Sequence, residues 1–163
     1  FRVGVAHQHP VRRQAAALGR APGQRLEPLR SELGRCVRHT AGPHTILEGD
    51  ALALTSDQTG PIDAVYDRAA LVALPPDMRA AYAASLARLT SPGVQALLVA
   101  FEYPQEMKGG PPFSVEAAEI RELFDAAFTV REVERLDVLA ESPKFAEIGI
   151  PALHETAVVL GRR

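Results

Sequence analysis

The sequence predicts an α/β fold: an open sheet flanked by helices, with an edge that is partly antiparallel. Three observations carry that expectation. "VQALLVAFEY", Val94 to Tyr103, is an almost uninterrupted apolar run, the signature of a strand buried on both faces of a sheet. From Ile62 onward the candidate elements follow in the order strand, helix, strand, helix, strand, strand. Finally, 163 residues with 47% hydrophobic content are enough for one globular domain with a real core.

The opening segment "FRVGVA" reads as a strand. Residues 7–38 are rich in Arg, Gln, His, Ala, Pro and Gly without a sustained period, which predicts irregular or poor order, with a helix around Leu29 to Val37. "TILEGDALAL" gives a short strand ending at Gly49-Asp50, and the polar turn "TSDQTGP" follows. "IDAVYD" is the next strand and stops at Asp67. "PPDMRAAYAASLARL" then places Met78, Tyr82, Leu86 and Leu89 at helical spacing, with Pro75 and Pro76 suited to its start. After the buried run and the loop "PQEMKGGPPF", Ser114 is placed to cap a helix whose apolar face is Ile120, Leu123, Phe124 and Ala127. "FTVREVERLDVL" and "ETAVVLGRR" are the last two strands, separated by a loop with aliphatic anchors.

Charge and composition narrow the function. A net charge of -2, with no Lys/Arg stripe, argues against a nucleic-acid partner. No apolar run reaches the roughly 18 to 20 residues that span a bilayer, so no membrane partner and a cytoplasmic protein are expected. Cys36 is the single cysteine and reads as a small buried hydrophobe. His7-x-His9 lacks the further ligands a metal site needs, and no metal is expected. In open parallel sheets ligands sit outside the carboxyl ends of the strands, so Asp50 and the pair Asp67-Arg68 are the polar residues of interest. Asp50 could accept from an exocyclic amine while Ala51 N–H donates to a ring nitrogen; the alternative is a turn acid satisfying local N–H groups. For Asp67-Arg68 the readings are an acid that orients a cleft arginine, or an ion pair that fixes the turn.

"GPIDAVYDRAALVALPPDMRAAYAASLARL" and "LLVAFEYPQEMKGGPPFSVEAAEIRELF" are similar to the thiopurine S-methyltransferase family. The turn from Asp67 to Leu71, the prolines before the helix, and Gly110-Pro111-Pro112-Phe113 ahead of the next helix stand in the family's order. The similarity runs from about Thr40 to Gly161. It implies a Rossmann-like class I methyltransferase sheet and S-adenosyl-L-methionine as cofactor. It also implies methyl transfer to a thiol or related soft nucleophile on a small aromatic or heteroaromatic acceptor, with selenium or tellurium species in bacterial members. Carried over by position, Arg68 falls on an arginine that contacts the cofactor and lies beside the substrate pocket. Asp50 and Ala51 fall on the two positions that meet the adenine. The expected partner is a small-molecule thiol, and the expected state a monomer.

The same resemblance makes "FRVGVA" the family's second strand, with Ala6 where an acid grips the cofactor ribose. The family's lid and its glycine-bearing first strand would precede Phe1. Residues 7–30 resemble the family little, and their composition would suit an out-of-frame reading of a GC-rich gene. The alternative to an enzyme is therefore a non-catalytic methyltransferase remnant that keeps part of the sheet without binding cofactor. A nucleotide-binding domain of another doubly wound family is disfavoured by the motifs themselves.

Overall fold

The structure, a computed structural model, describes residues 5–8 and 29–163, with side chains from residue 29 onward. The chain divides into two compact units, Phe1–Gly60 and Pro61–Arg163. Among the described residues no helix is long and apolar enough to cross a membrane.

The first unit is an antiparallel sheet of β1 (Val5–Gln8), β2 (Leu29–Leu33), β3 (Cys36–Ala41) and β4 (His44–Glu48), in the order β1-β4-β3-β2. Two glycines make its hairpins. Gly34 (φ 62°) and Gly42 (φ 59°) each stand first in a two-residue loop, where a positive φ matches the loop to the twist of the strands. The helix expected over Leu29 to Val37 is thus two strands. Of the stretch 7–38 expected to be irregular, residues 29–38 lie in this hairpin, and 9–28 fall outside the described residues. β1, the strand read from "FRVGVA", pairs antiparallel with β4, Ala6 opposite Ile46.

Cys36 is buried, as its hydrophobic character predicts, and its thiol donates to the Leu33 carbonyl at 3.2 Å. Gly49, just past β4, passes so close that a Cβ there would lie 2.9 Å from the Cys36 Cβ. A 3-10 turn (Ala51–Ala53) and the short α1 (Ser56–Thr59) follow. Gln58 ties α1 to the sheet: its Nε2 donates to Leu33 O at 2.9 Å, and its backbone carbonyl accepts from Arg38 Nη2 at 2.7 Å.

The second unit is the α/β sheet that the sequence predicts. β5 (Ala64–Asp67) pairs in parallel with β6 (Gln95–Glu102). β8 (His154–Arg162) runs antiparallel to β6 and to β7 (Phe128–Asp137), giving the order β5-β6-β8-β7. α2 (Ala70–Ala73), α3 (Pro76–Leu89) and α4 (Ala117–Phe124) supply Leu71, Val72, Ala83, Leu86, Ile120 and Phe124 to a core shared with Leu98, Ala100, Val158 and Leu160. Along β6 the burial alternates: Ala96, Leu98 and Ala100 are within 2% of full burial, whereas Leu97 is 39% exposed. An apolar residue at every position does not distinguish one covered face from two, and here the helices cover the face of Leu98.

α3 buries Arg79, Ala83 and Leu86, a line shifted by one residue from the Met78 and Tyr82 positions expected at its first two turns. Arg79 is only 2% exposed. Its Nη1 meets both carboxylate oxygens of Glu119 at 2.6 and 2.7 Å, its Nε donates to Leu74 O and its Nη2 to Ser114 O. A buried guanidinium is tolerable only with such complete pairing. Ser114 does not cap α4, whose N-cap is Glu116; its hydroxyl accepts from Tyr103 N at 3.0 Å. That bond, with Val115 N on Phe101 O and Phe113 N on Val72 O, fixes the 103–116 loop against the sheet.

Candidate functional site

β5 and β6 are parallel, and their carboxyl ends bring Asp67, Arg68, Phe101 and Tyr103 to one edge of the second unit. Asp67 is 5% exposed and turned inward. Its Oδ1 accepts from Ala69 N at 3.2 Å and Ala70 N at 2.8 Å, and its Oδ2 from Leu71 N at 3.3 Å and the Tyr82 hydroxyl at 2.8 Å. A carboxylate at the start of a helix satisfies donors that have no partner within the helix and opposes the helix dipole. Burial above all, then the negative charge of Asp67 and the hydrogen bond to it, hold the Tyr82 phenol well above its usual pKa of 10.0. Tyr82 therefore stays a donor to Asp67 through the neutral range.

Both readings of Asp67-Arg68 as a pair are corrected here. Successive residues of an extended chain point to opposite sides. Asp67 accordingly faces the helices, and Arg68 turns to the other face of the sheet. There its Nη2 donates to Glu155 Oε2 at 2.8 Å, and its Cζ stands 6.0 Å from the centroid of the Phe101 ring. Glu155 and Phe101 are opposite one another in the β6–β8 register. Sequence reasoning missed both, because nothing local to Arg68 points to a partner 87 residues away. The Phe101 ring in turn lies 6.2 Å from that of Phe145 on α5 (Pro143–Glu147), which meets Tyr103 edge-on at 5.4 Å.

Asp50 and Ala51 lie in the first unit. The Asp50 Oδ1 accepts from Leu52 N at 3.0 Å and its carbonyl from Ala53 N at 3.1 Å, so the acid caps the 3-10 turn in which Ala51 is the first residue. Asp50 is exposed, with one carboxylate oxygen committed to the turn. Among the described residues no group of three or more His, Cys, Asp or Glu is placed to hold a metal. The side chain of His7 and the whole of His9 fall outside them. His39 pairs with Glu48 at 3.1 Å.

The sequence model of the thiopurine S-methyltransferase family matches residues 15–163. This chain belongs to that family. The match begins before the Thr40 boundary of the resemblance. A thiopurine S-methyltransferase of Xanthomonas axonopodis pv. citri (strain 306) is 41% identical over 138 residues, covering 85% of this chain and 63% of the relative. That of Pseudomonas paraeruginosa is 42% identical over 137 residues, 84% and 63% of the two chains. That of Xanthomonas campestris pv. campestris (strain 8004) is 45% identical over 129 residues, 78% and 59%. The chain thus spans less than two thirds of the length of these curated relatives.

Proposed function

We propose that the protein carrying this chain transfers a methyl group from S-adenosyl-L-methionine to the sulfur of a small aromatic or heteroaromatic thiol. The observation that carries this reading is Arg68, a fixed cation at the carboxyl end of a parallel strand in a member of the thiopurine S-methyltransferase family. The donor types fit the cofactor. The Asp50 carboxylate suits an exocyclic amine, and a guanidinium suits a carboxylate or an anionic sulfur. The bound cofactor would supply the methyl group on a positively charged sulfur. The work left to the protein is to hold the acceptor in line with it and to stabilise the acceptor as an anion. Arg68 does the second: its charge is permanent, and its planar fork offers several N–H groups toward one partner. A related soft acceptor such as a selenium species would meet the same cation.

Cofactor binding tests this reading directly. Calorimetric titration of S-adenosyl-L-methionine should show saturable binding, and Asp50→Ala should raise the dissociation constant about five- to a hundredfold, the loss of one charge-assisted hydrogen bond. An unchanged constant would leave Asp50 as a turn residue alone. Ala6 favours a second reading, a non-catalytic member of the family, because it offers no carboxylate to the ribose and stands in an antiparallel strand. That reading predicts no heat of binding at any cofactor concentration.

A further inference from the structure

We infer that Glu155 is the positioning residue for Arg68, holding its guanidinium against Phe101 in the one orientation that presents its remaining donors to an anionic acceptor. This rests on the acceptor role proposed above for Arg68. Arg68 stands one residue beyond β5, and its side chain is 53% exposed. An arginine so placed has many rotamers open to it, and a site that depends on its fork must remove them. Two neighbours do so here. Glu155 takes Nη2 at 2.8 Å and Phe101 lies under the guanidinium carbon at 6.0 Å.

Neither neighbour is on a loop. The ladder between β6 and β8 runs without a break from Gln95–Gly161 to Glu102–His154, and it places Phe101 and Glu155 opposite each other on the same face. The sheet itself, rather than the turn after Asp67, sets where the guanidinium sits. Among the described residues Glu155 is the hydrogen-bond partner of Arg68, so Nε, Nη1 and the second N–H of Nη2 are the donors left for a ligand. A carboxylate beside the cation also weakens its pull on anions that do not fit the fork, which turns a non-specific charge into a shaped one.

The neighbouring pair provides the control. Arg135 Nη2 meets Glu102 Oε1 at 2.8 Å, with similar exposure, but Glu102 follows Phe101 in β6 and faces the opposite side of the sheet. The experiment compares Glu155→Ala, Glu155→Gln and Glu102→Gln in the chain. It reads melting temperature, methyl transfer to a thiophenol-type acceptor, and the side-chain 15N–1H resonances of Arg68. Glu155→Ala should lower kcat about five- to a hundredfold, the scale of a lost positioning contact, with the KM for cofactor changed less than about twofold. Exposed ion pairs contribute little to stability, so all three variants should melt within about 2 °C of the unsubstituted chain. The Arg68 Nη resonances, separate when rotation about Nε–Cζ is held, should average in Glu155→Ala and sharpen again in part in Glu155→Gln, which keeps an acceptor oxygen. Glu102→Gln should change neither kcat nor these resonances. If the Nη resonances are the same in Glu155→Ala as in the unsubstituted chain, or if kcat is unchanged while the unsubstituted chain is active, the inference is overturned. If the unsubstituted chain transfers no methyl group yet its Arg68 resonances average only in Glu155→Ala, the acceptor reading fails and Glu155 still holds Arg68.

Discussion

Asp67→Ala should destabilise the second unit by about 3 to 5 kcal/mol, the largest loss expected of any single substitution at this edge. The figure follows from what the carboxylate holds. Three backbone N–H groups at the start of α2 and the Tyr82 hydroxyl all donate to it, and Asp67 is 5% exposed, so water cannot replace it without opening the turn. Against a total stability of about 5 to 15 kcal/mol this is a large fraction, and a fall in melting temperature of roughly 10 °C or more is expected. Tyr82→Phe removes one of the four donors and should cost about 1 to 2 kcal/mol. The same pair sets an alkaline limit. Tyr82 has its pKa raised by folding, so its contribution is complete below about pH 10 and is lost as pH rises from there toward the folded-state value. Tyr82→Phe should flatten that alkaline decline. Thermal melts of the three proteins at pH 7, and of the unsubstituted chain and Tyr82→Phe between pH 9 and 11, check both claims. A loss under about 1 kcal/mol for Asp67→Ala would mean that the α2 donors find other partners.

The second unit was readable because its signals are local and agree with one another. The apolar run of β6, the prolines at the start of α3 and the strand end at Asp67 each fix an element without reference to the rest of the chain. The first unit was misread for a definite reason. Leu29, Leu33, Cys36 and Val37 fall at i, i+4, i+7 and i+8, which is helical spacing, and they also fit two short strands. Gly34 decides between them, since a glycine at the head of a two-residue loop closes a hairpin and weakens a helix.

At the site, adjacency misled. Asp67 and Arg68 are neighbours in sequence and attract by charge, yet alternation along an extended chain separates them, and the Asp67 carboxylate is taken up by the backbone N–H groups of the turn that follows. The true partner of Arg68 comes from β8, and the partner of buried Arg79 from α4. Pairings of this kind depend on sheet order and helix packing, which one sequence does not display. Position at a strand's carboxyl end, however, was legible, and it singled out Arg68 before its partner was known.

Arg68→Lys should leave the fold intact and lower methyl transfer by about 10²-fold or more, the scale of losing a preorganised donor to a developing or resident anion. The stability half of the expectation rests on exposure. Arg68 is 53% exposed and its pair with Glu155 is of the surface kind, worth about 0 to 1 kcal/mol, while a lysine keeps the charge and reaches much of the same space. The activity half rests on shape. A guanidinium can hold Glu155 with one edge, lie over the Phe101 ring and present further N–H groups to the acceptor, whereas an ammonium is a compact point charge that cannot present the same planar face and fork. Had Arg68 served only to fix the turn, the reverse would hold, with a lower melting temperature and normal turnover per folded molecule. The Asp67 carboxylate already fixes the turn through the α2 backbone, which removes that task from Arg68. Melting temperature and the rate of methyl transfer to an aromatic thiol, measured on the same preparations, separate the two outcomes. A well-folded, inactive Arg68→Lys supports the acceptor role, and a variant with unchanged turnover per folded molecule rules it out.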